Sequence, residues 1–333
     1  MAKNDFIPLA VPILPRAKYV GRGYYTSAYY VLEPTNVSKF EDDTIQNPSQ
    51  EFDPEEEPDY FLEFGYPEPK PKPKPAQDDV STIVLCHGLA ANGLLFVDDA
   101  HYFANNGYRV IVPDLRGHGR SKMPTKNLRS SDDFTFEKMA DDLLAILDKE
   151  QIEKTHWVGH SLGGLMALTI MESHPNRLGD VVFFGTSFSL NMPAFSLSLL
   201  KMVDKLLKRE HKNQLVARLG ANKVEAQAII YQMLKQADKD CINSIMRYLS
   251  NYDLINNIHY LEGALLLMRG SKDFLINQAQ SKTLAEMEQH PLFFRKDIKN
   301  ASHFTNLDQP EVFRNVILDF ISGGWIYEES QIL

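Results

Sequence analysis

The sequence predicts an α/β protein built on a doubly wound, mostly parallel sheet, and three observations carry that prediction. From residue 81 onward, short apolar runs of strand length alternate with amphipathic stretches of helical length. The first of these runs, STIVLC at 81–86, is continuous rather than alternating, as expected of a strand covered on both faces. The third is the stretch Thr155 to Leu168, THWVGHSLGGLMAL, which reads as a short strand at His156–Val158, a tight turn holding Ser161 and an apolar helix. Gly159, Ser161 and Gly163 in it satisfy G-x-S-x-G, a spacing that suits a serine on a sharp strand-to-helix turn.

Taken in order, residues 1 to about 21 read as an irregular arm, and Tyr24 to Leu32 is aromatic and β-branched enough for a strand. From Glu41 to Asp59 the chain carries acids without Lys or Arg, interrupted by Pro48, Pro54 and Pro58. Such a composition buries too little apolar surface to order itself. Asp59 to Tyr66 has the pattern of a second strand, and PEPKPKPKP at 67–75 is an extended polyproline-type spacer. Residues 1–80 thus form an opening region with an acidic, proline-rich insertion at about 34–79. The strand at 81–86 runs into His87-Gly88-Leu89, a helix ends near Gly107, and Tyr108 to Pro113 makes the next strand. Phe136, Met139, Leu143 and Leu147 step by three and four along a helix that leads into the serine strand. Beyond the serine helix, Val181–Phe184, Ala264–Met268 and Leu292–Phe294 are short apolar runs, and Gln309 to Ile321 closes the core as a helix. Residues 81–188 and 264–333 therefore read as two parts of one core. The excursion at 189–263 is helix-rich, without a strand pattern of its own, and lies where a lid would be inserted.

Composition narrows the function classes. An apolar fraction of 44% in 333 residues supports a large core. A net charge of −9 with no Lys/Arg cluster argues against a nucleic-acid partner. Cys86 and Cys241 form no metal spacing and read as reduced, packed thiols. No uninterrupted run of about 18 apolar residues exists to span a membrane. The apolar FIPLAVPILP is broken by proline at three places and makes a poor signal segment, so a cytoplasmic location is expected.

A serine hydroxyl needs a base to remove its proton, and the base needs an orienting acid. Both should lie just beyond the carboxyl ends of later strands. Asp273 follows the run ALLLM through Arg269-Gly270-Ser271-Lys272, whereas the preceding run ends without a carboxylate. Asp253, inside the excursion, lies on no strand end and is the weaker candidate. His303, in NASHFTNLDQPEVF, stands between the last strand and the last helix, from where an imidazole can swing over the serine. The backbone N–H groups of Leu162, at a helix start, and of Leu89, in the first loop, are the candidate donors to an oxyanion. His87 is expected to hydrogen-bond its own loop. DLRGHGRS at 114–121 lacks a G-K-[ST] ending and reads as a structural loop beside the serine rather than a phosphate loop. Neither metal-ligand spacing nor a dinucleotide fingerprint is found.

HGL, DLRGHGRS, GHSLGG, RGSKD and SHFTNLDQPEVF, in that order, resemble the α/β-hydrolase superfamily, in its esterase/lipase-like branch, over about residues 81 to 322. The resemblance implies an eight-stranded sheet, a helical cap, a Ser161–Asp273–His303 triad and no cofactor. Serine at the elbow departs from the epoxide hydrolases and haloalkane dehalogenases, which carry aspartate there. The insertion at 34–79 and the arm before it match nothing in the family pattern. The expected reaction is hydrolysis of a small-molecule carboxylic ester. Acyl transfer to an alcohol or thiol, thioester hydrolysis and C–C hydrolysis share the same residues, and a ligand receptor or scaffold is the non-enzymatic alternative. Phe195, Leu199, Met202, Val203, Leu206 and Leu207, followed by Ala228, Ile229 and Met233, form apolar stripes that fit an apolar acyl group or simply pack the excursion on the core.

Overall fold

Side chains alternate across a strand, so an apolar run contributes to both faces of a sheet at once. Ile83 and Leu85 pack into one buried cluster while Val84 and Cys86 pack into the other, and Val182/Phe184 against Val181/Phe183 divide in the same way. The computed structural model that shows this describes residues 13–22, 25–35, 81–121, 123–124, 130–191, 208–281 and 283–323. Asp59 to Tyr66, the stripe at 195–207 and nearly all of the insertion at 34–79 lie outside the described residues.

The strands are β1 (Lys18–Arg22), β2 (Tyr25–Leu32), β3 (Thr82–Cys86), β4 (Arg109–Asp114), β5 (Thr155–His160), β6 (Leu178–Phe184), β7 (Ser189–Asn191), β8 (Asn251–Asp253), β9 (Leu265–Gly270) and β10 (Phe293–Ile298). Eight of them form one sheet in the order β1-β2-β4-β3-β5-β6-β9-β10. β1 and β2 are antiparallel additions at one edge, and the pairs from β4 to β10 are all parallel. The chain reverses its direction of travel across the sheet at β3, which pairs with β4 on one side and β5 on the other. Open α/β sheets present their ligand crevice at such a switch point, beyond the strand carboxyl ends.

Helices cover both faces. Helix α1 (Val97–Asn105) and the last helix, Pro310–Ile321, pack on one face through residues such as Phe103, Phe313 and Phe320. Helix α2 (Phe136–Lys149) buries Phe136, Met139, Leu143 and Leu147 on the other face. Beside it lies α3 (Leu162–Ser173), buried on all sides from Leu162 to Met171, which explains its lack of a polar face. Burying each large apolar side chain in these layers stabilises the fold by roughly 1.5–3 kcal/mol.

Two expectations need correction. The arm expected to be irregular contains β1, whose register with β2 runs from Lys18↔Tyr29 to Arg22↔Tyr25. Its residues are mostly exposed, so an edge strand held by backbone pairing left no apolar alternation to read. The excursion, expected to lack strands, contains a two-stranded antiparallel ribbon, with Ser189↔Asp253 and Asn191↔Asn251 paired. Three-residue strands are too short to imprint a period on the sequence. Between them lie helices α4 (Arg209–Gly220), α5 (Val224–Gln236) and α6 (Lys239–Leu249). Ala226, Ile230 and Met233 of α5 join the cluster that contains Leu266 and Phe304, so that face packs on the core.

Candidate active site

Sheet register assembles the site. Cys86 pairs with Gly159, which sets the loop His87-Gly88-Leu89 beside the turn His160-Ser161-Leu162. His160 pairs with Phe184, and Gly270 of β9 pairs with Ile298 of β10. Phe184 in turn pairs with Met268 of β9, so five strand ends are aligned, and those of β3, β5, β9 and β10 each carry one piece of the arrangement expected from the sequence.

Ser161 adopts φ 50° and ψ −115°, in the left-handed half of conformational space that a side chain rarely occupies. Its N–H donates to Phe184 O (3.0 Å), and its carbonyl accepts from Gly164 N (2.9 Å) and from Thr186 Oγ1 (3.1 Å). These bonds hold the strained conformation in place. Close approach explains the glycines. A Cβ at Gly163 would run into the carbonyl of Cys86, and one at Gly88 would lie 2.8 Å from His160 Nδ1 and 2.9 Å from Ser161 Cβ. The start of α3 and the first loop are thus in backbone contact. Leu162 opens α3, so its N–H has no intrahelical acceptor. Among the described residues, the N–H of Leu89 likewise donates to no backbone carbonyl.

Asp273 is buried at the end of the loop after β9, where its N–H donates to Gly270 O (3.0 Å). Ser271 and Lys272 donate from their backbone to Ile298 and Ala301, tying this loop to the one that carries His303. His303 Nδ1–H donates to Asp273 Oδ2 at 2.8 Å. A carboxylate only accepts, so this bond places the proton on Nδ1 and leaves Nε2 free to take one. The His303 ring stacks edge-on against His160, with centroids 4.7 Å apart, which brings it to the residue next to Ser161. Asp253, the weaker candidate acid, accepts from Ile255 N (3.3 Å) in the ribbon and has no part in this arrangement.

His160 is fully buried, and its Nε2–H donates to the carbonyl of His303 (3.2 Å). Desolvation, with a smaller contribution from nearby His303, holds it well below the ordinary histidine range, so it is neutral. His87 behaves as expected from the sequence, with Nδ1–H donating to Gly88 O (2.8 Å). The DLRGHGRS loop is tied to itself and to the loop after β3: Asp114 accepts from Arg120 N and Gly93 N, both at 2.8 Å.

One residue of the site carries no signal in the sequence. Asp308, buried, accepts from Ser302 N (2.9 Å), Ser302 Oγ (2.5 Å), Asn222 N (2.7 Å), Asn222 Nδ2 (2.9 Å) and Lys223 N (3.2 Å). Phe304 N also donates to Gly220 O (3.1 Å). The histidine loop is therefore bolted to the α4–α5 connection of the excursion. Asp308 looks locally like a helix-end aspartate, since its partners in the excursion, Asn222 and Lys223, lie some 85 positions away.

Among the described residues, no three His, Cys, Asp or Glu side chains gather into a metal site, and no helix is long and apolar enough to cross a membrane. Cys86 and Cys241 are both buried.

An eight-stranded, mostly parallel sheet with a strained serine at the end of its fifth strand and a His–Asp pair beyond its last two defines the α/β-hydrolase fold. A model of that fold matches residues 81–226. RutD of Pseudomonas syringae pv. syringae, a protein named for carbamate hydrolysis, is 26% identical over 258 residues, covering 73% of this chain and 95% of its own. The 3-oxoadipate enol-lactonase 2 of Acinetobacter baylyi is 23% identical over 251 residues, covering 72% and 88%. The solved structure of a thermophilic esterase from Thermogutta terrifontis superimposes with a TM-score of 0.68 at 16% identity, over 93% of this chain and 99% of that one. The chain thus carries the α/β-hydrolase fold, and the proteins it is similar to are named as hydrolases.

Proposed function

We propose that this chain is a serine hydrolase that cleaves a carboxylic ester through an acyl-enzyme on Ser161. The observation that carries the reading is the 2.8 Å bond between His303 Nδ1 and Asp273 Oδ2, beside a serine held at φ 50°. In this mechanism His303 Nε2 takes the proton of Ser161 Oγ as that oxygen attacks the acyl carbon. Asp273 holds the imidazole in the required tautomer and stabilises its cationic form. The N–H groups of Leu89 and Leu162 receive the negative oxygen of the tetrahedral intermediate. His303 then returns the proton to the leaving alcohol, and water, activated by the same imidazole, hydrolyses the acyl-enzyme. An apolar acyl group is supported by the sequence stripe at 195–207 alone. Relatives named for carbamate and lactone hydrolysis fit the reading, since both chemistries attack an acyl carbon.

The test is covalent labelling with a fluorophosphonate, followed by peptide mass spectrometry and turnover of a panel of aryl esters, a lactone and a carbamate. Modification at Ser161, with ester turnover that increases with acyl length, is the expected result. Rapid labelling elsewhere, or none, would reject the mechanism. Added alcohol that diverts product from acid to a new ester would favour the acyltransferase alternative.

A further inference from the structure

The loop that carries Leu89 has a second layer that the mechanism above leaves unused. His87 and His118 are both buried, with ring centroids 5.2 Å apart, and neither reaches Ser161 or His303 by a hydrogen bond. Each sits in one of two adjacent loops, after β3 and after β4, and each reaches into the other. The N–H of Leu115 donates to His87 Nε2 at 3.0 Å, and the N–H of Ala90 donates to His118 Nε2 at 3.0 Å. Both rings then use Nδ1 within their own loop, His87 to Gly88 O (2.8 Å) and His118 to Arg116 O (3.0 Å).

The donors here leave no ambiguity. A backbone N–H cannot accept and a carbonyl cannot donate, so both rings must be neutral with the proton on Nδ1. Burial agrees with that state, holding His87 near 4 and His118 near 3, the latter also through the neighbouring His87. The atoms being held matter for the site. Ala90 lies at φ 61°, an uncommon conformation for alanine, immediately after Leu89. Its N–H would otherwise be free to turn the peptide and, with it, its neighbour. Asp114 anchors the far end of the loop through Gly93 N and the end of its own loop through Arg120 N.

We propose that His87 and His118 are positioning residues that lace the two loops together and hold the Leu89 amide in register with that of Leu162 for the oxyanion. This rests on the serine-hydrolase reading and deepens it. His118 is the better handle, because its acceptor nitrogen is the one bonded beside Leu89. A misdirected donor stabilises the transition state less while leaving ground-state binding alone, so the loss should fall on kcat.

Two variants separate the acceptor from the ring. His118→Phe keeps the ring volume without the acceptor, and His118→Gln offers an acceptor oxygen at the distance of Nε2. Loss of a complete oxyanion donor lowers kcat by about 10²–10³; for a displaced one we expect a fall of about 10–100-fold in His118→Phe with KM within about threefold. Affinity for a boronic-acid transition-state analogue should fall in parallel, and His118→Gln should recover most of the loss. Equal impairment of the two variants, or a Phe variant that turns over as fast as the wild type, would overturn the proposal. Should His118→Phe not fold, long-range ¹H–¹⁵N spectra of histidine-labelled wild-type protein decide instead: both rings must be neutral Nδ1–H tautomers at pH 7, and an Nε2–H tautomer on either removes the lacing. Labelling of Ser161 in the wild type tests the underlying mechanism separately. Its absence would reject the hydrolase reading, whereas labelling together with an unaffected His118→Phe would reject only the lacing.

Discussion

Ser161 pays for its exposure with backbone strain, and substitutions there separate strain from chemistry. Glycine occupies φ 50° without penalty, while alanine keeps the Cβ that makes it unfavourable. Strain of this kind is worth about 1–3 kcal/mol, and glycine gives back up to about 1 through the unfolded chain. Ser161→Gly should therefore be inactive yet more stable than Ser161→Ala by about 1 kcal/mol, or about 1–2 °C in melting temperature. Equal melting temperatures would mean that the turn is unstrained. On the chemical side, Ser161→Ala and His303→Ala should each lower kcat by on the order of 10⁶, and the double variant hardly further, because the residues act as one unit. Additive losses in steady-state kinetics would show that they do not cooperate. Asp273→Asn is expected to lower kcat by about 10⁴, since the amide cannot hold the Nδ1–H tautomer.

Between elements, the decisive contact is the one that Asp308 makes from the helix after His303 to the α4–α5 connection. Its five hydrogen bonds join Ser302, Asn222 and Lys223, so the loop that carries His303 and the excursion share one buried anchor. Asp308→Ala leaves the buried N–H of Ser302 without its acceptor and removes the bonds from Asn222 and Lys223, at a cost of about 3 kcal/mol. The melting temperature should fall by roughly 4 °C. Activity should also fall with the protein still folded, because the loop carrying His303 is released on that side. Circular dichroism and ester turnover on the same sample would check this, and a variant that loses stability without any change in kcat would show that the anchor does not position the base.

At the scale of the whole molecule, three neutral histidines, His87, His118 and His160, are locked between the sheet ends and the loops above them. In the unfolded chain each binds a proton near pH 6.5. In the folded chain His87 resists protonation to about 4 and His118 to about 3, chiefly through burial. Below pH 6.5 the unfolded state therefore holds more protons, and stability falls with pH down to those values. Each group contributes a slope of up to about 1.4 kcal/mol per pH unit. The charged or titratable neighbours of His118 are His87, Asp114 and Asp238, and those of His160 are His303 and His87. Asp99 and Asp114, raised by burial, work in the opposite sense, so a difference between two proteins is the clean measurement. The stability advantage of the wild type over His118→Gln should shrink between pH 7 and pH 4.5 in thermal or denaturant unfolding. An advantage that stays constant would mean that His118 is not buried in its neutral form.

What the sequence by itself determined is whatever local chemistry imposes. Glycine spacing around Ser161, continuous apolar runs for strands covered on both faces and the three-and-four stepping of Phe136 to Leu147 all act within a few residues, so the sheet and its order of elements were legible. The positions of Ser161, Asp273 and His303 at strand ends were legible for the same reason. Only the tertiary structure decided the rest. β1 shows no apolar alternation because it is an exposed edge held by backbone pairing with β2, and the β7–β8 ribbon is too short for a period. Asp308 finds Asn222 and Lys223 about 85 positions away, and the Nε2 atoms of His87 and His118 find their donors across 28. A hydrogen bond depends on where the donor ends up, which is set by sheet register and loop geometry. The pairing of Cys86 with Gly159, which brings the Leu89 loop against the turn of Ser161, is such a register, and no residue in either strand specifies it alone.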